Sequence, residues 1–496
     1  MRAYRPPRVY RHARWRLGRA RRYLGGADAF LQPVLTLVGG AAAAQALVFA
    51  TRPVLTRLFT PDDFGVLTVF VTLVAVLGTV ASGRYEDALM LPEDDGEAAH
   101  VLSLALLVTT ATAILAALAL FWLPVWETLL GGPALRPALV LAPPTVLLMG
   151  AGLALETWHT RRNRFRPPAV GRTIQSVTAA GVQLVAGFAA VGAVGLVAGA
   201  AAGFGAATLW LLGVWIAVDG RRIPLRLGAL PVLARRYARF PLYSAPAALL
   251  NVLASRAPVL LLAAFFTTDV VGQFGIAFGT LVLPLGLVAG AIGQVFFVRA
   301  AEAHREGALG TLTLGFYRRL LVVTAYPALA VLVAGPALFA FVFGPAWDVA
   351  GQYARLLSVW VLFVSVAVPL TRVFDVTERQ RADLGFSLLL FVVQTGAFVA
   401  VALAVEAGLA VLVLGVVGAA LRVLHIGWML RLAGAPLRAA ARGLAHVVGL
   451  ALPFLALVAL ADALTDSGAV VLGAVVLGGL GYLGLAARRG ELAEPT

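Results

Sequence analysis

Long apolar stretches recur along this chain, and their number limits the possible folds more than any other feature. A transmembrane helix needs roughly 20 consecutive apolar residues, and about fourteen stretches of that kind are separated by charged or turn-forming residues. They span 31–53, 63–83, 98–123, 137–159, 169–190, 193–218, 241–266, 270–298, 312–343, 350–372, 382–405, 408–431, 441–462 and 468–487. Because 61% of the residues are hydrophobic and 13% are charged, a soluble domain cannot bury the apolar surface. The sequence predicts an all-α integral membrane protein with about 14 transmembrane helices.

The arginines occur at alternate ends of these stretches. Nine arginines lie in residues 1–22, and further groups follow every second stretch from the fourth onward. Cytoplasmic loops carry an excess of positive charge, so this pattern predicts cytoplasmic positions for 1–28, 160–168, 219–240, 300–311, 373–381, 432–440 and 488–496. Both termini are then cytoplasmic. Since these loops account for most of the net charge of +15, we expect no nucleic-acid partner.

The basic segment before the first stretch lacks the apolar core and cleavage site of a signal peptide. Two interpretations remain open: the segment binds anionic headgroups of membrane lipids, at about 1 kcal/mol per arginine, or it is a disordered tail that fixes the topology. Cysteine is absent, which excludes disulfides, thiolate catalysis and cysteine-based metal sites. No phosphate-binding glycine loop, paired histidines or nucleophile–base arrangement is convincing. We therefore predict no catalytic residues, no enzyme activity, no metal and no cofactor.

Two short motifs repeat at an offset of slightly more than 200 residues. Residues 60–65 and 267–272 both have the form T-x-D-x-x-G, and Gly-Pro-Ala occurs at 132–134 and again at 344–346. Their matched positions indicate duplication of a six-helix unit, and copies of equal orientation are related by a pseudo-two-fold axis along the membrane normal, with a cavity between them. The expected parts are a basic segment (1–30), a first six-helix lobe (31–218), a linker (219–240), a second six-helix lobe (241–431) and a C-terminal part with two extra helices (432–496).

The region around the first repeat resembles a known family. Residues 55–65, LTRLFTPDDFG, and 83–92, GRYEDALMLP, are similar to the N-terminal signature of bacterial polysaccharide and O-antigen flippases of the multidrug/oligosaccharidyl-lipid/polysaccharide (MOP) exporter superfamily. Residues 343–347 and 378–380 add weaker similarity. The resemblance implies two six-helix lobes around a central cavity, two additional C-terminal helices, and a polyprenyl-diphosphate-linked oligosaccharide as cargo. It further implies a role in O-antigen, capsule or exopolysaccharide synthesis at the bacterial plasma membrane, with an undecaprenyl-diphosphate-type lipid as partner and glycosyltransferases and a polysaccharide polymerase as further expected partners.

Arginine is suited to hold the diphosphate of such a cargo, because its planar fork binds phosphate oxygens and stays charged when partly desolvated. Of the arginines outside the predicted cytoplasmic loops, we single out six: Arg52, Arg57, Arg136, Arg256, Arg355 and Arg422. A charge deep in a span is costly if it faces lipid. We favour Arg256, beside polar Asn251 and Ser255, as lining a cavity rather than forming an ion pair. For Arg422, which has apolar neighbours, we favour the structural alternative.

Three further residues complete the predicted substrate-binding set of Arg256, Asn251, Arg52, Arg84 and Gln45. Arg52 precedes the Pro53 break and is a candidate for guiding the diphosphate outward, although snorkelling is an ordinary explanation there. Arg84 is a candidate for first contact with the diphosphate, with pairing to Glu86 or Asp87 as the favoured alternative. Gln45 is expected to face the cavity with the first span.

Other polar residues give weaker indications. Glu156 is a candidate carboxylate for ion coupling, with a salt bridge to Arg161 or Arg162 as the favoured alternative. The glutamines inside spans suit hydrogen bonds to sugar or between helices.

Three functions compete at this point. The favoured one is flipping of a lipid-linked oligosaccharide by alternating access, and the second is a multidrug or small-cation antiporter of the same superfamily. An antiporter is expected to carry acidic residues deep in its helices, whereas the deep charges here, Arg256 and Arg422, are positive. A membrane polymerase or glycosyltransferase is disfavoured because the longest predicted external loop, 124–136, has only about 13 residues.

Overall fold

The computed structural model describes residues 45–130, 132–219, 228 and 230–491, and every regular element within these ranges is a helix. Fourteen of the helices are long. In chain order they are α1 (45–58), α2 (Pro61–Val80), α3 (Asp95–Leu118), α4 (Arg136–Arg161), α5 (Arg166–Phe188), α6 (Ala193–Val218), α7 (Ala245–Phe265), α8 (Thr268–Arg305), α9 (Leu309–Phe343), α10 (Asp348–Leu370), α11 (Gln380–Ala402), α12 (Ala407–Leu432), α13 (Leu437–Leu464) and α14 (Gly468–Arg488). Short helices at Tyr85–Ala88, Leu123–Leu130, Leu230–Arg236 and Arg372–Val376 lie between them.

Each predicted span overlaps one of these helices, and residues 31–44 of the first span lie outside the described residues. Eleven helices in the described ranges are long and apolar enough to cross a membrane. The other three are α1, which begins at the edge of the described residues, the more polar α5, and α8, whose apolar part is Thr268–Pro284. The prediction of an all-α membrane protein is confirmed, and eleven of the fourteen long helices in the part of the chain that the structure describes meet the length and composition of a membrane span. The basic segment predicted for 1–30 lies outside the described residues.

The repeated motifs adopt the same structure in both copies. Thr60 caps the N-terminus of α2 by accepting a hydrogen bond from the Asp63 amide, and Thr267 caps α8 through the Val270 amide. A side-chain oxygen at this position satisfies one of the free N–H groups of the first helical turn. At the second motif, Gly132 and Gly344 take positive φ angles of 102° and 110°, and each leads into one turn of 3₁₀ helix before α4 or α10. These shared turns support the duplication inferred from the sequence.

The two lobes touch where the first motif of one copy meets the first motif of the other. A Cβ atom on Gly65 would lie 1.9 Å from the carbonyl oxygen of Thr268, and one on Gly272 would lie 1.9 Å from that of Pro61. The Thr268 hydroxyl also donates to Asp62 at 2.6 Å. Reciprocal contacts of this kind, in which each copy uses the same two positions, are expected around a two-fold axis. We call this contact the seam, and the end of the bundle that carries it the seam end.

Aromatic packing continues inward from the seam. Trp347 is fully buried, meets Phe64 edge to face at 5.1 Å, and donates from Nε1 to the Thr56 carbonyl at 2.9 Å. The core around these rings contains residues of both lobes, including Phe70 and Phe274. A second core joins α13 and α14 to α9, where the Tyr482 hydroxyl donates to the Val322 carbonyl. The two C-terminal helices therefore pack on the second lobe.

Candidate functional site

The six arginines singled out from the sequence fall into two groups when their contacts are compared. Three have structural partners. Arg57 donates to the carbonyls of Val342 and Phe341 at the C-terminus of α9, at 2.7 and 3.0 Å, and so joins α1 of one lobe to α9 of the other. Arg136 pairs with Glu127 at 2.8 Å. These side chains stabilise helix ends, where free carbonyls and charges need partners.

Arg355 belongs to the same group. Its guanidinium donates to the Val333 carbonyl at 2.6 Å, next to the point where α9 kinks at Ala334 ahead of Pro336. A proline inside a helix removes a backbone hydrogen bond and opens the turn before it. Arg355 supplies a donor at this kink, so its role is structural.

Arg52, Arg256 and Arg422 form the second group. Each lies inside a long helix and is half-buried, yet none has a hydrogen bond or ion pair to another described residue. A desolvated guanidinium without an acceptor is expensive, since a charge at membrane depth normally faces a partner or a water-filled space. These three arginines are the candidate anion-binding groups of the bundle.

Arg52 lies between the two lobes. Its two terminal nitrogens are 3.1 Å from the place where a Cβ of Gly279 on α8 would be, and its Nη1 atom is buried without a partner. The Phe49 ring, one turn earlier, lies 5.7 Å from the guanidinium carbon. Gly279 follows Gly272 and Gly275 on α8, and Gly275 contacts Thr68 of α2. This row of glycines lets α1 and α2 approach α8 closely, and it leaves room for the Arg52 head group.

Arg256 and Asn251, which the sequence analysis placed in one site, point in different directions. Residues five apart on an α-helix are rotated by about 140° from each other. Asn251 and Ser255 line a cavity of about 290 Å³ inside the second lobe, whereas Arg256 is not among its lining residues. Arg256 therefore occupies the opposite face of α7, away from that cavity.

Arg422 lines the same cavity as Asn251 and Ser255. The apolar sequence neighbours of Arg422 favour a structural role for it, and they give no connection to Asn251. The polar neighbours of Arg422 come from other helices, α7 and α11, and proximity between distant helices leaves no trace in local composition. The signal in the sequence is the position of Arg422 deep in the span 408–431, where a charge needs a partner or water.

The remaining predicted site residues have ordinary surroundings. Arg84 forms ion pairs with Asp87 at 2.7 Å and with Glu86 at 3.4 Å, the alternative considered for it in the sequence analysis. Burial raises the pKa of Glu86, although Ser82 and Arg84 act in the opposite direction. Gln45 is half-buried at the first described residue of α1. Neither Arg84 nor Gln45 is brought next to Arg52, Arg256 or Asn251 by a described hydrogen bond or ion pair.

Glu156 pairs with Arg172 on α5, so the expectation of a bridge to Arg161 or Arg162 was wrong. Arg172 lies one helix further along the chain, and a partner at that distance could not be read from local spacing. Three of the glutamines inside spans donate to backbone carbonyls of neighbouring elements: Gln183 to Leu196, Gln273 to Ala346 and Gln394 to Leu414. These amides join helices, as polar groups commonly do inside membrane bundles.

Solved structures of other membrane proteins have the same fold. The lipid II flippase MurJ in an inward closed conformation superposes with a TM-score of 0.70, covering 91% of this chain and 98% of that chain at 13% identity. An inward-facing MATE multidrug resistance transporter of the MOP superfamily has a TM-score of 0.62, covering 79% and 95% at 14% identity. An outward-facing MATE structure reaches 0.52, covering 81% and 94% at 14% identity. At these identities the likeness shows a shared fold.

No curated protein sequence matches this chain significantly. A family profile does match, over residues 54–352, which is more than half of the chain and includes the seam, both repeated motifs and the arginines Arg57, Arg136 and Arg256. Its description is "Polysaccharide biosynthesis protein". The protein is a multi-pass membrane protein that shares its fold with MurJ and the MATE structures, and it belongs to this polysaccharide biosynthesis protein family.

Proposed function

We propose that the protein flips a polyprenyl-diphosphate-linked oligosaccharide from the cytoplasmic to the outer leaflet of the bacterial plasma membrane. The lipid tail of such a cargo is stable in the bilayer, but its diphosphate and sugars are not, because buried charges and unpaired hydroxyls cost several kcal/mol each. The protein must therefore offer the head group a polar path through the membrane. The tail stays in lipid throughout.

The observation that carries this proposal is the group of arginines without partners. Arg52 lies between the lobes, and Arg256 lies on the face of α7 that points away from the cavity of the second lobe. Neither guanidinium is neutralised by a described carboxylate. Both therefore keep their charge for a ligand, and a diphosphate matches the sign and the forked geometry of the arginine head group. Cationic drugs, the cargo of the alternative antiporter function, have the opposite sign.

The seam provides one of the two gates that alternating access requires. With Gly65 against Thr268 and Gly272 against Pro61, the lobes are closed at the seam end, which is predicted to face outward. Arg57 adds two hydrogen bonds between the lobes at the same end. Release of the head group outward would separate these contacts, and the cargo would leave as the lobes rock apart around the pseudo-two-fold axis.

The expected biological setting follows from the cargo. The product of flipping is a lipid-linked repeat unit in the outer leaflet, ready for assembly into O-antigen, capsule or exopolysaccharide. Glycosyltransferases that build the unit and a polymerase that consumes it are the partners we propose. Both termini are proposed to be cytoplasmic, in accord with the arginine distribution.

A reconstitution experiment tests the proposal. Purified protein in proteoliposomes is given a fluorescent polyprenyl-diphosphate saccharide, and an impermeant periodate reagent reports how much saccharide has reached the opposite leaflet. We expect flipping by the wild type, at least about tenfold slower flipping by Arg52→Ala, and normal flipping by Arg136→Ala, whose arginine already has a partner. Absence of flipping by the wild type, together with uptake of a cationic dye, would favour the antiporter instead.

A further inference from the structure

We infer that the cavity inside the second lobe is a binding site for a small inorganic anion. The cavity has a volume of about 290 Å³ and is lined by residues of α7, α8, α10, α11 and α12, all from the second lobe. It is separate from the position of Arg256, on the other face of α7, and from the position of Arg52 between the lobes. The proposal therefore concerns a second site, which does not depend on the cargo of the first.

The first observation is a buried donor without an acceptor. Trp360 on α10 lines the cavity and is 7% exposed, and its indole N–H has no hydrogen-bond partner. The ring is held in place from two sides: it stacks on Phe278 at 5.5 Å, and it packs against Gly418 of α12, where a Cβ would lie 2.7 Å from its Nε1 atom. Buried indole N–H groups usually have an acceptor. The ring lines the cavity, and its Nε1 atom is an unused donor held against α12.

The second observation is a guanidinium next to that donor. Arg422 follows Gly418 by four residues on α12, so it lies on the same helix face, about 6 Å further along the axis. Its Nε atom is buried without a partner, and the side chain forms no ion pair with a described residue. An uncompensated charge at this depth requires a counter-ion or a polar ligand.

One carboxylate outside the cavity wall also acts on Arg422. Asp383 on α11 acts on Arg422 only from beyond ion-pair distance, and its carboxylate lies 3.5 Å from the ring of His425. That ring is itself stacked between Phe374 and Phe386, at 5.6 and 4.3 Å. Asp383 therefore compensates the charge of Arg422 only from a distance, and Arg422 lines the cavity whereas Asp383 does not.

The residues that line the cavity favour a ligand with negative charge. None of its described lining residues carries a carboxylate, while Asn251, Ser255, Ser387 and Thr395 add short hydroxyl and amide groups. The amide nitrogen of Gln394 is already used on the Leu414 carbonyl. A positive charge, an indole donor and small hydroxyl groups in a largely apolar wall favour a ligand that accepts hydrogen bonds. Chloride and phosphate both fit this chemistry and this volume.

Thermal unfolding of the purified full-length protein in detergent tests the site. The probes are chloride, inorganic phosphate and pyrophosphate, each titrated against gluconate at constant ionic strength. Because a ligand that binds only the folded state raises its stability, we expect a saturable rise in the unfolding midpoint of at least about 2 °C with chloride or phosphate. The rise should disappear in Arg422→Gln and shrink in Trp360→Phe.

Two control variants show which arginine is responsible for a change in the unfolding midpoint. Arg355→Gln removes an arginine that already has a backbone partner, so its anion response should equal that of the wild type. Arg256→Gln removes the arginine on the other face of α7 and should leave the chloride response intact. A pyrophosphate effect that vanishes in Arg256→Gln but survives in Arg422→Gln would assign the anion to the cargo path and overturn the proposal.

A fluorescence measurement covers the case in which Arg422→Gln does not fold. Tryptophan emission of the wild type should change on anion addition, and this component should be missing in Trp360→Phe, which keeps the arginine and the aromatic stack. A wild type without saturable anion dependence in either measurement would contradict the site. Flipping activity is measured separately, so failure of the anion site and failure of the flippase proposal give different results.

Discussion

Gly272 of the second lobe lies against the carbonyl oxygen of Pro61 in the same way that Gly65 of the first lobe lies against that of Thr268. The two contacts are related by the internal duplication, since position 61 corresponds to 268 and position 65 to 272 in the repeated motif. Backbone atoms meet here without an intervening side chain. The seam therefore tolerates no added atom on either glycine while the lobes remain closed.

Alanine at Gly65 or Gly272 should shift the protein away from the closed seam. A Cβ atom placed 1.9 Å from a backbone oxygen cannot be accommodated by a side-chain rotation. Because the chain has no cysteine, Thr68→Cys near the seam provides a single labelling position. We expect faster reaction of this cysteine with an impermeant maleimide in the Gly65→Ala and Gly272→Ala backgrounds, together with reduced flipping.

A matched control uses Gly181 on α5. No atom lies within 4 Å of a Cβ at this position, so Gly181→Ala should change neither labelling nor transport. Equal labelling rates in Gly272→Ala and Gly181→Ala would show that the seam is not a gate.

Gly279→Ala should impair transport with little loss of stability. The atoms that a Cβ would meet, at 3.1 Å, are the ends of the flexible Arg52 side chain and not the backbone. Arg52 can move aside, but then its guanidinium leaves its position between the lobes. We expect normal protein abundance and several-fold slower flipping, measured in proteoliposomes. Gly286→Ala, on the same helix with no atom within 4 Å of its Cβ, should behave like the wild type.

The helical framework could be predicted from the sequence because each membrane span carries its own signal. Length and apolar composition place the span 193–218 at α6 without reference to any other helix. The repeated turns were predictable for a similar reason, since a threonine that caps a helix and a glycine with positive φ each depend on only a few neighbouring residues. The reciprocal contact of Gly65 and Gly272 was not predicted, because the motif reports the duplication and not the distance between the copies.

The candidate site was only partly predictable, since arginine partners are decided by tertiary contacts. No partner was predicted for Arg57, yet it donates to carbonyls of α9, about 285 residues away. Arg422 looked structural but lacks a partner, and Asn251 faces Arg422 instead of accompanying Arg256. Charge and depth in the spans identify the candidate arginines from the sequence. Helix packing decides which of them have structural partners and which do not.

Asp219, at the end of α6, should be the most important carboxylate for stability at the arginine-rich end. It is 2% exposed and accepts hydrogen bonds from Arg164, Arg162 and Trp158, at 2.7 to 3.2 Å. Asp219→Asn leaves two arginines without their shared partner, a change that costs about 3 kcal/mol in a buried network. Thermal unfolding in detergent at pH 7 should show this loss. Asp87→Asn, which breaks a more exposed pair with Arg84, should cost at most about 1 kcal/mol.

The same network predicts a pH dependence. Burial opposes ionisation of Asp219, but the hydrogen bonds from Arg164, Trp158 and Arg162 outweigh it and lower its pKa from 3.8 to about 2. A carboxylate with a lowered pKa in the folded state stabilises the protein at neutral pH and loses that contribution as the pH falls toward the folded value. The difference in unfolding midpoint between wild type and Asp219→Asn should stay constant from pH 7 to about 5 and narrow between about pH 4 and pH 2. If the difference in unfolding midpoint has already disappeared at pH 5 or above, Asp219 does not have the lowered pKa described here.

Arg256 gives the sharpest test of the cargo path. It is half-buried on α7 and has no carboxylate or carbonyl partner among the described residues, so Arg256→Ala leaves no described charge without a partner. The variant should therefore insert and accumulate normally, because removal of an unpaired charge does not harm a membrane helix. Export should fall at least about tenfold if the arginine binds the diphosphate. Arg256→Lys should restore part of the activity, since the charge returns without the bidentate fork.

Complementation of a flippase-deleted strain, measured beside membrane protein abundance, separates this role from a structural one. If Arg256 neutralised a buried carboxylate, its loss would cost about 3 to 5 kcal/mol, and abundance would fall together with export. Arg355→Ala serves as the structural reference, because it deprives the α9 kink of its donor to the Val333 carbonyl and should lower abundance. Normal export by fully expressed Arg256→Ala would remove this residue from the path of the diphosphate and leave Arg52 as the arginine proposed to bind it.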